Sequence, residues 1–272
     1  MRDGVNEGYE DSLAGPSFAP SLIPSVIPPI PIRPLSASDD DYGVPIPGSV
    51  LPQEQWARTA IKRLPPLGPI DWRAVFGRDA PLVLDLGCGN GRYVISSALT
   101  RPHVDHVGIE ILPVVIRYAT RRANQRGLAN VRLGVIGAYE LLAQYIAPAS
   151  VSEIHLYHPQ PYRDDAKQHR RLLTPEFLAL AHRSLIAGGL LVIQTDNKAY
   201  WQYLRQVLPL LFTWEELRGR WPDAPQGRTR REIYDRQRGL KVYRGQGRPL
   251  TNLTADAVAQ IMQAAPRPTF QA

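Results

Sequence analysis

The chain is 272 residues long and carries 32 Lys+Arg against 25 Asp+Glu, 26 Pro, 21 Gly and one Cys. At 44% hydrophobic it has enough apolar side chain for a large core, which excludes a wholly disordered chain, and its single Cys excludes an internal disulfide and a cysteine-based zinc site, as fits a reducing compartment. The net charge of +7 is uneven: residues 1–55 hold 2 basic and 8 acidic groups and residues 217–248 hold 10 and 3, so an acidic segment precedes a basic body suited to a polyanionic partner.

The most apolar N-terminal stretch, Phe18 to Leu35, is interrupted by Pro20, Pro24, Pro28, Pro29, Pro31 and Pro34. A membrane-spanning helix needs about 20 apolar residues and tolerates few prolines, so none is expected there. Asp3, Glu7, Glu10 and Asp11 stand where a signal peptide has its basic start. Residues 1–55 read as an extended, partly polyproline-like acidic tail, or as a strip that docks on a partner or on the protein's own surface.

From about Trp56 strands and helices alternate. Leu82–Leu86 reads as a buried strand, Asn90–Leu99 as a helix, His106–Glu110 as a second strand. Pro113–Arg126 is a helix with proline in its first turn and Gly127 as its stop. Val131–Ile136 and Val151–Tyr157 are the third and fourth strands. Thr174 and Pro175 open a helix reaching about Ile186, with Gly188-Gly189 as its stop. Leu190–Gln194 is the fifth strand and Asn197–Val207 a further helix. This alternation predicts an α/β fold with a doubly wound, mostly parallel sheet. Phe212–Leu217 and Leu240–Tyr243 would complete seven strands as an antiparallel end hairpin. The domain is expected over residues 56–248, with 249–272 as a C-terminal extension.

The most informative local pattern is Asp85-Leu86-Gly87-Cys88-Gly89-Asn90-Gly91, between the first strand and the first helix. Glycines there let the backbone turn tightly and approach a ligand. The Gly-x-Gly-x-Gly spacing is tighter than the dinucleotide pattern. It resembles the S-adenosylmethionine (AdoMet) loop of Rossmann-like methyltransferases. That resemblance places Asp85 near the cofactor's amino group and Glu110 on its ribose hydroxyls, with Gly87, Gly89 and Gly91 forming the loop. Cys88 is expected to be a small packing residue, and His103 and His106 to lie at the surface of a turn.

The fourth strand ends in Tyr157-His158-Pro159-Gln160-Pro161-Tyr162, and ligands of open α/β sheets bind beyond the carboxyl ends of strands. Tyr162 offers a stacking face, and His169-Arg170-Arg171 offers charge for phosphate. The fifth strand ends in Gln194-Thr195-Asp196-Asn197. Later come Thr229-Arg230-Arg231-Glu232 and Tyr243-Arg244. In this order these elements resemble the tRNA (guanine-N7-)-methyltransferase family over about residues 80–245. The matching pieces are Thr195-Asp196-Asn197, Thr229 with Glu232, Arg170-Arg171 and Tyr243-Arg244. Where the family has Pro-Asp-Pro-Trp, this chain has Pro159-Gln160-Pro161-Tyr162. Asp164 and Asp165 stand in a stretch that the family keeps lysine-rich. Gly137, before Ala138, stands where many members place an acidic or amide residue near the adenine, a position a backbone amide can serve.

The resemblance implies AdoMet as cofactor and tRNA as substrate, in the cytoplasm, with no metal and no membrane. Oligomeric state and protein partner stay open. Guanine N7 has an exposed lone pair and needs alignment with the methyl group rather than a strong base. Asp196 is expected to grip the guanine N1–H and N2–H edge, with Gln160 beside it as the second catalytic candidate. Tyr162, Arg170, Arg171, Thr229 and Glu232 are the substrate-binding candidates, Thr229 and Glu232 closing over the base or the cofactor's amino-acid end. The basic run from Arg218 to Arg244 is expected to hold phosphates. Two alternatives stay open: a methyltransferase with another RNA position, a protein or a small molecule as acceptor, and a non-catalytic RNA- or partner-binding module.

Overall fold

The computed structural model describes residues 39–66 and 68–271, so the proline-rich reading of the segment before Asp39 lies outside the described residues. A short hairpin, β1 (Asp40–Asp41) and β2 (Val44–Pro45), precedes seven strands: β3 (Leu82–Leu86), β4 (Asp105–Glu110), β5 (Val131–Val135), β6 (Val151–Tyr157), β7 (Leu185–Thr195), β8 (Phe212–Glu216) and β9 (Tyr243–Pro249). The seven form one sheet in the order β5-β4-β3-β6-β7-β9-β8. β3 to β7 pair in parallel, and β9 runs antiparallel between β7 and β8. The direction of winding reverses between β3 and β6, which opens a crevice at their carboxyl ends.

Both faces of the parallel region are covered, so β3 is buried along its whole length and is apolar apart from Asp85. The helices are α1 (Trp72–Phe76), α2 (Arg92–Thr100), α3 (Pro113–Gln125), α4 (Ala138–Glu140), α5 (Pro175–Ser184), α6 (Lys198–Val207), α7 (Arg230–Gln237) and α8 (Ala255–Ala264). One apolar cluster joins Val94 and Ile95 of α2, Ile116 and Ala119 of α3, and Val131 and Leu133 of β5. The larger one joins Phe177 and Leu178 of α5, Tyr200 and Leu204 of α6, and Ile154, Leu191 and Ile193 of the sheet.

Several boundaries differ from the sequence reading for physical reasons. α5 starts as expected, with Thr174 Oγ1 accepting from the Phe177 N–H at 3.3 Å, but it ends at Ser184. β7 begins at once, and the glycine pair lies in a register shift between the Val151–Leu185 and Glu153–Leu190 pairs. β9 starts at Tyr243, the last residue of the expected Leu240–Tyr243, and runs on to Pro249. His106 is not at the surface: it is buried in β4, bonds Ser97 Oγ through Nε2 at 2.9 Å, and burial pushes its pKa down to about 3.

The folded unit also starts before residue 56. The buried Arg92 guanidinium donates to Asp41 at 3.3 Å and to the carbonyls of Val44 at 3.1 Å and Pro45 at 2.9 Å. Arg126 pairs with Asp39, and Ile46 enters the α2–α3 cluster. Residues 39–55 thus dock on the protein's own surface. Residues 249–272 dock likewise: α8 packs on α5, and Phe270 lies 5.3 Å from the Tyr200 ring. Among the described residues no helix is long and apolar enough to cross a membrane.

Candidate active site

Past β3 the chain turns through Gly87, Gly89 and Gly91, with left-handed φ of 82°, 53° and 79°. The N–H groups of Gly87 and Cys88 both donate to the Ile109 carbonyl, at 2.9 and 2.8 Å, which ties the loop to β4. A Cβ added at Gly87 or Gly89 meets nothing within 4 Å, whereas one at Gly91 comes within 2.9 Å of the Ala119 Cβ. Gly87 and Gly89 therefore face a cavity of about 1070 Å³, while Gly91 serves the close approach of α2 to α3. Cys88 is buried, and burial pushes its thiol pKa up, as suits packing.

Asp85 lines the same cavity. It is 2% exposed and its Oδ1 has no hydrogen-bond partner. Burial, reinforced by the charge of Glu110, pushes its pKa up to about 8. An ammonium group is the partner such a site lacks. Glu110 ends β4; one carboxylate oxygen accepts from the N–H groups of Ile111 at 2.8 Å and Leu112 at 3.2 Å, and the other has no partner among the described residues. Gly137 and Ala138 follow β5, one strand further out, and do not line the cavity.

The opposite wall comes from the end of β6. His158 and Tyr162 hold φ of 53° and 43° on either side of Pro159-Gln160-Pro161, a strained backbone for residues with side chains. His158, Gln160, Pro161 and Tyr162 all line the cavity. What holds this loop is Arg171, which is 1% exposed. Its guanidinium donates to the carbonyls of Pro161 at 2.6 Å, Tyr162 at 3.0 Å, Pro268 at 2.5 Å and Phe270 at 2.7 Å, and lies 3.8 Å over the Phe270 ring. The phosphate role expected of Arg171 is therefore corrected: its donors are already taken up by backbone. Arg170, next to it, is exposed and remains open to a polyanion.

Asp196, at the end of β7, lines the cavity beside these residues. Its Oδ1 lies 3.3 Å from His158 Nδ1 and its Oδ2 2.5 Å from Arg231 Nη2. The His158 hydrogen bond, with the Arg231 bond and charge, holds its pKa well below the usual carboxylate range. Arg231 also reaches Asp235, its Nε lying 3.2 Å from Oδ1. The donor atoms of His158, Asp196 and Asp235 lie within 4.8 Å of one another, a spacing that could suit a cation, and the Arg231 guanidinium occupies that role.

Glu232 is corrected as well, and Thr229 has a second role. Thr229 lines the cavity but is the N-cap of α7, accepting from the Glu232 N–H at 3.1 Å. Glu232 is 0% exposed; it accepts from the Arg228 N–H at 2.9 Å and from Arg236 at 2.8 and 2.6 Å. The Thr-x-x-Glu spacing is that of a capping box, but the Glu232 carboxylate accepts from the Arg228 N–H, one residue before the N-cap. Sequence reasoning also missed Tyr42, on the cavity wall 5.3 Å from the Tyr234 ring, and the roles of His158 and Arg231.

A doubly wound sheet with a glycine turn at its switch point, an unpaired buried acid on the cavity wall and a carboxylate ending the next strand defines an AdoMet-dependent methyltransferase of the Rossmann-like class. Residues 79–244 match the Methyltransf_4 methyltransferase family model. The chain is 31% identical over 178 residues to the tRNA (guanine-N(7)-)-methyltransferase of Saccharophagus degradans, covering 65% of this chain and 78% of that protein. It is 35% identical over 188 residues to that of Methylococcus capsulatus, covering 67% and 79%. The crystal structure of the 16S rRNA methyltransferase KamB superposes with a TM-score of 0.49 at 16% identity, covering 71% of this chain and 98% of that one. The chain belongs to the tRNA (guanine-N7-)-methyltransferase family, and AdoMet is its cofactor.

Proposed function

We propose that this protein transfers a methyl group from AdoMet to N7 of a guanine in tRNA, in the cytoplasm. The observation that carries the reading is Asp196, held ionised on the wall of the cavity that the glycine loop also lines. Asp85 would take the cofactor's ammonium and Glu110 its ribose hydroxyls, with Gly87 and Gly89 leaving room for it. When bound, AdoMet supplies an electrophilic methyl group on a sulfonium. The carboxylate of Asp196 accepts from guanine N1–H and N2–H, and two charge-assisted bonds discriminate against adenine. Tyr162 and Gln160 line the cavity beside it as the contacts for the base. No side chain has to remove a proton before attack, so alignment accounts for most of the rate enhancement, on the order of 7–11 kcal/mol.

Arg170, Arg218, Arg220, Arg230, Arg238 and Lys241 are exposed and form the phosphate-binding set. Arg228, Arg236 and Arg244 are committed inward: the first and last lie 3.7 and 4.9 Å over the Trp221 ring, and Arg236 pairs with Glu232 at 2.6 Å. The test is methyl transfer from labelled AdoMet to total tRNA, with nucleoside mapping of the product. N7-methylguanosine with the wild type and none with Asp196→Ala, at unchanged AdoMet affinity, is the expected result. Label in another nucleoside, or full turnover by the variant, overturns it.

A further inference from the structure

The indole N–H of Trp221 lies 2.8 Å from Gln194 Oε1, and that ring is 5% exposed, clamped by Arg228 and Arg244. An indole nitrogen can only donate. The oxygen of the Gln194 amide must therefore face Trp221, which turns its NH₂ group toward His158 Nε2, 3.0 Å away. An NH₂ group also only donates, so Nε2 must accept, and the neutral imidazole carries its hydrogen on Nδ1. That is the nitrogen facing Asp196 Oδ1 at 3.3 Å. The backbone ties the same two residues together: His158, at a left-handed φ of 53°, donates its N–H to the Gln194 carbonyl at 2.7 Å.

We propose that His158 is a positioning residue, locked as the Nδ1–H tautomer by a hydrogen-bond chain from Trp221 through Gln194, and that it orients the Asp196 carboxylate for guanine. The inference rests on the assignment of Asp196 as the guanine acceptor. The two oxygens of Asp196 are held differently. Oδ1 is bound from inside by His158, whose side chain is 7% exposed; Oδ2 is bound by Arg231, whose side chain is 54% exposed. Arg231 is the partner that an incoming base edge can exchange for, and His158 keeps the carboxylate plane fixed during the exchange. With its hydrogen on Nε2, His158 would set two donors against each other at Gln194 and leave Asp196 Oδ1 facing a lone pair.

The test uses the full chain and two readouts. Long-range ¹H–¹⁵N correlation spectra report the tautomer of each of the 6 histidines, with His158 assigned by its disappearance in His158→Phe. The wild type is expected to show His158 as Nδ1–H, and Trp221→Phe, which removes the donor and keeps a ring, to lose the single tautomer. In single-turnover methylation His158→Phe is expected to slow transfer at least about tenfold with AdoMet affinity unchanged, the loss of one hydrogen bond to a charged group. His158→Asn, whose amide can donate to Asp196, should recover much of the rate. An Nε2–H tautomer in the wild type overturns the proposal, as does an unchanged rate for His158→Phe. If His158→Phe does not fold, His158→Asn serves for assignment and the tautomer in wild type and Trp221→Phe decides. An Nδ1–H tautomer with no N7-methylguanosine formed overturns the functional reading instead, so the two failures are distinguishable.

Discussion

Without ligand, Asp85 is held protonated near neutrality, because burial and Glu110 push its pKa up to about 8. An ammonium group docking against Oδ1 selects the carboxylate, so the acid's proton must leave on binding. With a free α-amino pKa of about 7.8, the separated partners carry about 1.8 protons at pH 7 and the bound ion pair carries one, a release of about 0.8 proton. Near pH 8 the exchange falls to about zero, and by pH 9 it becomes an uptake of about 0.8, because the free amine has lost its own proton. Ionising Asp85 at pH 7 costs about 1.4 kcal/mol, and the same linkage makes binding about twentyfold weaker at pH 6 than at pH 8. For the ligand-free fold the sign follows from the raised pKa. The protonated acid favours folding, so this contribution is fully present below about pH 4 and is lost as pH climbs through about 8. Titration calorimetry in phosphate and in Tris at pH 7 counts the linked protons from the slope against buffer ionisation enthalpy. A zero slope at pH 7, or a release of the same size by Asp85→Asn, refutes the assignment.

The remaining predictions probe other parts of the site. Glu110→Ala is expected to weaken AdoMet binding at least about tenfold, since two hydrogen bonds to a charged acceptor are lost; an unchanged dissociation constant by calorimetry rules out a ribose contact. Thr229→Ala should cost about 1 kcal/mol in denaturant unfolding and leave AdoMet affinity unchanged, because the hydroxyl caps α7. Arg171→Ala should destabilise by about 3 kcal/mol or more, seen as a lower unfolding midpoint, since it leaves buried carbonyls unpaired and frees the Pro161–Tyr162 loop. RNA affinity should fall with salt at a log–log slope of about −4 if the exposed cations contact phosphate, and a flat dependence contradicts that role.

Legibility followed locality. β3 to β6 are legible because strands packed between helices are rich in apolar side chains, and α3 between them opens on a proline and stops at Gly127. Gly245 and Gly247 lower strand propensity, which hides most of β9 in the sequence. They are there because Trp214 lies against them: a Cβ at Gly245 would come within 2.5 Å of Trp214 Cζ2. α7 is hidden in the sequence because Arg230–Gln237 has no apolar stripe; Ile233 is its only buried aliphatic residue, and its start signal is the Thr229 cap. The N-terminal hairpin was hidden by proline-rich composition, since what anchors it are Arg92 and Arg126, far along the chain.

The same distinction divides the site. The proposed cofactor side is one glycine turn with Asp85 before it and Glu110 ending the next strand, so its residue types point directly to its chemistry. The proposed substrate side is a hydrogen-bond chain through Trp221, Gln194, His158 and Asp196, drawn from three separate segments, and no spacing rule connects them. Neighbouring residues can even have opposite fates. Arg170 and Arg171 are adjacent, yet only the second finds carbonyls 97 and 99 residues away and leaves the surface. The acidic departure at Asp164 resolves similarly. Its Oδ1 accepts from the Ala166 N–H at 3.0 Å, starting the short 3-10 helix Asp165–Arg170, and its Oδ2 pairs with Lys167 at 2.9 Å. The charges of Asp164 and Lys167 offset each other at the surface, so Arg163 on the cavity wall and the exposed Arg170 still present positive charge. A negative residue in a stretch expected to be basic is therefore compatible with a polyanionic substrate, because the helix start and the lysine already engage it.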